Sequence, residues 1–100
     1  MNRPVVFLSG ADEDLQGIFN RFEEYREGFG VEFMLAVDAH MANVAAFPEI
    51  APLYVDRVRR QVMHRYPIGI LYEAHPTRIL VVAVLDLRQD PAKIIRRLRR

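Results

Sequence analysis

The side chains best suited to chemistry gather in the second half of the chain. Arg59, Arg60, His64 and Arg65 stand within one short stretch, Glu73 follows, and Asp86 and Arg88 come together further on. An arginine fork stays charged and matches the oxygens of a phosphate or carboxylate two at a time. Histidine titrates near neutrality without perturbation, which makes His64 a candidate general base. Phosphate binding with an assisted proton transfer is the chemistry such a set offers. The plainer alternative is structural. If residues 58–65 form a strand, alternation puts Arg60 and His64 on one face and Arg59 and Arg65 on the other, so the four cannot meet one phosphate. Arg59 and Arg65 then read as a solvated sheet face, and His64, between Met63 and Arg65, as a half-buried structural histidine. His40 and His75 have no neighbours at ligand spacing and the chain has no cysteine, so neither metal nor cofactor is expected.

These residues need a scaffold, and the rest of the chain supplies its pattern. Residues 4–9 are apolar and partly β-branched and stop at Gly10, predicting an N-terminal strand. From Asp12 onward Leu15, Ile18, Phe19, Phe22 and Tyr25 recur at helical steps, with Asp12, Glu13 and Asp14 placed to favour the first-turn dipole. After Gly28, Phe29 and Gly30, a second helical pattern runs through Met34, Val37, Met41, Val44 and Ala45 and stops at Phe47-Pro48, giving a helical hairpin. Residues 47–53, with Pro48 and Pro52, read as a connection packed by Phe47, Ile50 and Leu53. Residues 58–65 alternate, although Val55, Val58 and Val62 also match a helical period. Ile68, Ile70 and Tyr72 alternate with their neighbours, and residues 78–87 suit a strand buried on both faces, with the turn at His75-Pro76-Thr77. Asp90-Pro91 offers an N-cap followed by proline at the first helical position, so residues 91–100 begin as a helix carrying Arg96, Arg97, Arg99 and Arg100. Such a helix is marginal alone. The order predicts an α+β domain: N-terminal strand, helical hairpin, three-strand antiparallel meander and short C-terminal helix, with helices on one face of the sheet.

A length of 100 residues, 51% of them hydrophobic and 27% charged, suits one globular domain over residues 1–100. A core this small leaves modest stability, to which a partner covering apolar patches would add. The longest apolar run, residues 79–85, has seven residues, where a membrane helix needs about twenty. No basic segment leads into an apolar one at the N-terminus, so a soluble, unprocessed, cytoplasmic chain is expected. The net charge of +1 conceals a division: residues 1–50 hold three arginines against nine acids, net −6, and residues 51–100 hold eleven basic residues against four acids, net +7. Such polarity implies a basic face for a nucleic acid or an acidic protein segment, unless the two halves neutralise each other within the fold. Arg59, Arg60, Arg65, Arg96, Arg97, Arg99 and Arg100 are the contact candidates.

Several stretches then fall into a known order: residues 11–15 opening the first helix, Phe47-Pro48 after the second, Arg59-Arg60 leading into residues 66–73, and residues 83–91. In sequence and spacing they resemble the RelE/ParE superfamily of toxins from bacterial type II toxin–antitoxin systems, which includes ParE-like plasmid stabilisation proteins. The likeness spans nearly the whole chain. It implies the toxin fold and a small cognate antitoxin that wraps part of itself over the toxin, the assembly being a homo-oligomer or a hetero-oligomer with the antitoxin. Two activities occur in that superfamily: inhibition of DNA gyrase by binding, and metal-independent cleavage of messenger RNA on the ribosome. For a ribonuclease the catalytic candidates are Arg60, His64 and Arg88. Yet Asp86 stands where many members have a histidine or basic residue, and Lys93, Ile94 and Ile95 bring no aromatic hydroxyl, so the familiar catalytic set is not reproduced. The expectation is therefore a ParE-like toxin that arrests growth by binding DNA gyrase. The alternatives are a RelE-like ribosome-dependent endoribonuclease and an interaction module that keeps the fold without toxicity. The antitoxin is expected to lay an acidic or amphipathic segment over the basic sheet side or the groove beside the helical hairpin.

Overall fold

The computed structural model describes residues 2–99. Its elements are β1 (Val5–Phe7), α1 (Ser9–Tyr25), α2 (Phe29–Ala46), β2 (Leu53–Val55), β3 (Val58–Met63), β4 (Ile68–Ala74), β5 (Ile79–Asp86) and α3 (Pro91–Leu98). The strands form one sheet in the order β1-β5-β4-β3-β2, with β1 parallel to β5 and the other neighbours antiparallel. The fold is α+β, with the element order that the sequence predicts and one short strand, β2, in addition. The hairpin of α1 and α2 covers one face, where Leu15, Phe33 and Val37 meet Ile70, Tyr72 and Val81. On the opposite face Val58, Leu71 and Ala83 form a smaller cluster with Tyr54 and Leu98.

The hairpin is closed by a carboxylate. Glu23, in the last turns of α1, accepts from the amide of Gly28 at 3.0 Å, of Gly30 at 2.7 Å and of Val31 at 3.2 Å, capping the first turn of α2 from outside it. These bonds, the one from Gly28 first, hold its carboxyl below the usual range. Gly28 takes φ 86° at the turn, and at Gly30 a Cβ would lie 2.8 Å from the carbonyl oxygen of Phe19, so the absence of a side chain lets the helices touch. Phe22 fills the space beneath, 4.7 Å from Phe29, 5.3 Å from Phe33 and 5.7 Å from Tyr66 between ring centres.

The start of α1 differs from the expectation. The strand ends at Phe7, and α1 begins at Ser9 with Gly10 inside it rather than breaking the chain. The reason is non-local. A Cβ at Gly10 would stand 3.2 Å from the Arg97 guanidinium, which passes over this point to reach Asp14. β1 pairs with β5 only as far as Phe7 and Val81, while β5 runs on to Asp86. The amide of Val84 on that bare edge donates to Asp14 Oδ2 at 2.9 Å, and Arg97 donates to both oxygens of the same carboxylate at 3.2 and 2.8 Å. With Arg97 turned to α1 and Leu98 packed on the far face, α3 straddles the β5 edge. Asp90 caps α3 as predicted, its side chain accepting from the amide of Ala92.

Asp14→Ala is expected to destabilise the chain by roughly 2–4 kcal/mol in urea unfolding, since it strands a strand amide and a half-buried guanidinium together. Arg97→Ala should cost less, about 1 kcal/mol, because Val84 keeps its acceptor. Equal losses, or a negligible one for Asp14→Ala, would show that the carboxylate does not hold this corner.

Candidate functional site

The connection before β2 is pinned from below. Tyr72, wholly buried, donates its hydroxyl to the carbonyl of Pro48 at 2.8 Å and accepts from the amide of Ala51 at 3.4 Å. Burial pushes its pKa up, so the hydroxyl stays protonated as this arrangement requires. Arg59, on the hairpin side of β3, donates to the carbonyl of Ala51 at 2.8 Å. With the backbone held this way it is Ala51 that turns into the core. Phe47, Ile50 and Leu53, expected to pack the connection, instead stand 65%, 53% and 59% exposed. Two large apolar side chains on a hydrogen-bonded loop and a third at the start of β2 are thus left in solvent, the kind of exposure that often marks a contact surface.

Arg60 points the other way. Its amide donates to the carbonyl of Pro52 at 3.1 Å, and its guanidinium lies over the Tyr54 ring, 4.4 Å from the centre. The ring fixes a side chain that would otherwise be free, leaving the arginine's donors available. Alternation therefore separates Arg59 from Arg60, as the period-two pattern predicts. Arg60 and His64 line one shallow depression at the edge of the sheet with Ile50, Pro52 and Val62.

His64 and Arg65 were expected on the strand, but β3 ends at Met63 and both stand exposed in the following turn. The turn is closed by the Tyr66 amide donating to the carbonyl of Met63 at 3.2 Å, and it delivers the buried Tyr66 ring to the aromatic cluster. His64 also borders a second recess, with Ala36, His40, Arg65 and Tyr66. Burial, and then repulsion from His64, hold the His40 pKa below the ordinary histidine value.

The remaining candidates are scattered. Arg88 is bound twice by Asp86, at 3.1 and 2.7 Å, and the guanidinium in turn holds the Asp86 carboxyl below its usual range. Asp86 is in register with Ile68, whose side chain belongs to the hairpin-side core, whereas Arg60 lies on the far face. Arg60, His64 and Arg88 are thus not brought together. Glu73 is engaged by His75 at 2.7 Å. Arg97 is taken by Asp14, Arg99 lies 3.5 Å from Asp56 with both largely exposed, and Arg96 is exposed without an ion pair among the described residues. Arg100 lies outside the described residues. No group of three or more histidines and carboxylates that could hold a metal occurs among the described residues, and no helix there is long and apolar enough to cross a membrane. Sequence reasoning missed Tyr54 and the outward turn of Phe47, Ile50 and Leu53. The one available signal was three bulky apolar residues in and around a segment bounded by two prolines, Pro48 and Pro52, that no periodic pattern claims.

In an NMR titration of the imidazoles, His40 is expected to protonate below pH 6.5 and to move up towards that value in His64→Ala. Because the unfolded chain then binds more protons than the folded one, stability should fall as the pH drops from 6.5 through the His40 midpoint. A midpoint at or above 6.5 would remove both the burial and the repulsion from this account.

No protein-family model matches the chain, and no curated protein sequence matches it. Among solved structures, a chain from "Chromosomal ParDE TA system from P. aeruginosa" is similar with a TM-score of 0.76 at 12% sequence identity, over 86% of this chain and 97% of that one. The strand, helical hairpin, antiparallel meander and terminal helix described above are therefore the fold of a chain from a ParDE toxin–antitoxin system.

Proposed function

We propose that this chain is the toxin of a bacterial type II toxin–antitoxin pair, ParE-like, which arrests growth by binding DNA gyrase and is neutralised by a cognate antitoxin. The observation that carries this reading is the fold shared with a ParDE chain, joined to a site equipped for contact rather than for proton transfer. A pinned loop with Phe47, Ile50 and Leu53 outward, beside an arginine oriented on a tyrosine ring, has the composition of a binding hot spot. An acidic amphipathic segment suits that edge: its apolar residues cover the loop and its carboxylates meet Arg60. A cytoplasmic location accords with such a target.

A second reading, the ribosome-dependent endoribonuclease, is favoured by Arg60 and His64 lining one depression. It ranks lower because Arg88 is occupied by Asp86, and in the depression that Arg60 and His64 share no other lining residue can pass a proton, His40 bordering the neighbouring recess instead.

Inducible expression of the chain alone in a bacterial host is expected to arrest growth with DNA-damage signalling and no codon-phased RNA 5′ ends. Phased ends without DNA damage would transfer the proposal to the ribonuclease, and unimpaired growth would leave an inert module with the toxin fold. With the cognate antitoxin in hand, Phe47→Ser and Arg60→Ala should each weaken the complex about tenfold or more. Unchanged affinity in both would move the antitoxin off this edge. Arg59→Ala is the poorer probe, because that side chain holds the loop itself.

A further inference from the structure

Three basic side chains without partners meet at one recess where α2 passes the turn after β3. His40 comes from α2, and His64 and Arg65 from the turn; with Ala36, Met63 and Tyr66 they line a hollow of about 240 Å³. Elsewhere the arginines that reach inward are taken: Arg3 by the carbonyl of His75, Arg59 by that of Ala51 and Arg97 by Asp14. Of the three histidines, only His75 has a partner among the described residues, the Glu73 carboxylate. His40 is half-buried, and it lacks the hydrogen bonds that a polar group in such a position ordinarily makes.

No carboxylate lines this recess, so the charged groups that face His40 are His64 and Arg65. On α2 itself Asp38 stands one turn after Met34, on the flank that borders the groove with α1, and Glu32, two turns before His40, is bound by Arg26 at 3.1 Å. Repulsion from His64 is accordingly one of the causes that hold the His40 pKa down. An oxyanion would relieve it: the arginine fork can meet two oxygens, and each imidazolium can donate to another. The hollow is smaller than the roughly 300–1,000 Å³ that encloses a drug-sized ligand, so the anionic group enters and the body that carries it stays outside. We infer that this recess binds the phosphate group of a small phosphate monoester, held by Arg65, His40 and His64. A monoester brings about two negative charges at neutral pH, whereas each diester of a nucleic acid strand brings about one. The inference does not rest on the toxin reading and would stand for a chain that leaves growth unimpaired. It also differs from the ribonuclease reading, which sets a phosphate against Arg60 in the neighbouring depression.

The test follows the histidine NMR resonances of the full chain during titration with sodium sulfate, against sodium chloride of matched ionic strength. Sulfate keeps its charge while the imidazoles titrate. His40 and His64 are expected to shift together and saturate with one Kd while His75 stays still, and the His40 midpoint should rise in saturating sulfate. Affinity should tighten about tenfold as the pH falls from about 7.5 to about 5.5. Arg65→Gln, in an exposed turn, is the decisive variant and should weaken binding about tenfold or more, as should His40→Gln. Unfolding curves of both variants confirm that the fold is intact. Uridine monophosphate and a short uridine oligonucleotide without a terminal phosphate separate the two sources of phosphate: the nucleotide is expected to bind about tenfold more tightly or better. Shifts that do not saturate, equal movement of His75, unchanged affinity in Arg65→Gln, or a nucleotide that binds no more tightly than the oligonucleotide would overturn the inference.

Discussion

β5 is longer than the strand beside it, and the fold is organised around that mismatch. β1 pairs with only three residues of β5, so the amide of Val84 on the edge beyond needs an acceptor from elsewhere. Asp14 supplies it from α1, and the charge that the carboxylate brings is met by Arg97 from α3. One side chain thereby joins the first helix, the central sheet and the last helix. An unpaired buried strand amide is expensive and a half-buried carboxylate more so, and here each removes the other's penalty. The same contact explains Gly10, over which the arginine passes, and the docking of a C-terminal helix too short to persist alone.

The hairpin obeys a similar economy. Glu23 serves three amides at the start of α2, and Gly30 allows the backbone of α1 to approach closely enough for the aromatic cluster to close beneath. With that contact made through backbone and carboxylate, the inner face of α2 is satisfied by the sheet, and Val31 and Leu35 are left in solvent on its outer side. The sheet edge solves a related problem in the opposite way: buried hydrogen bonds from Tyr72 and Arg59 fix the connection before β2, and its large side chains turn outward. The charges divide in the same sense, with an acidic hairpin and a basic second half carrying Arg60 and Arg65. A partner that covered the exposed apolar side chains would add to the limited stability of a core this size.

The arginines show how little residue type says about availability. Of those singled out in the sequence, Arg59, Arg88 and Arg97 are occupied by a loop carbonyl, an aspartate two residues away and an aspartate 83 residues away. Arg60 is oriented by an aromatic ring, and Arg65 and Arg96 remain in solvent. A guanidinium already paired to a carboxylate is a poor ligand for phosphate, because forming the new contact must first break the old one. This physical difference, more than the number of basic residues, decides which arginines are free to meet a ligand.

Local pattern alone determined a good deal of this protein. Helical spacing from Leu15 to Phe22 and from Met34 to Ala45 marks the hairpin, alternation around Ile70 marks β4, Asp90-Pro91 marks the start of α3, and period two separates Arg59 from Arg60. Each depends on residues a few positions apart, which repeat with the geometry of the element they form. The tertiary structure alone decided the rest: the reach of Arg97 to Asp14, the brief pairing that makes β2 a strand, the end of β3 at Met63 so that Tyr66 can enter the aromatic cluster, and the exposure of Phe47, Ile50 and Leu53. These rest on contacts between segments distant in the chain, where no periodicity records which partner a side chain will find.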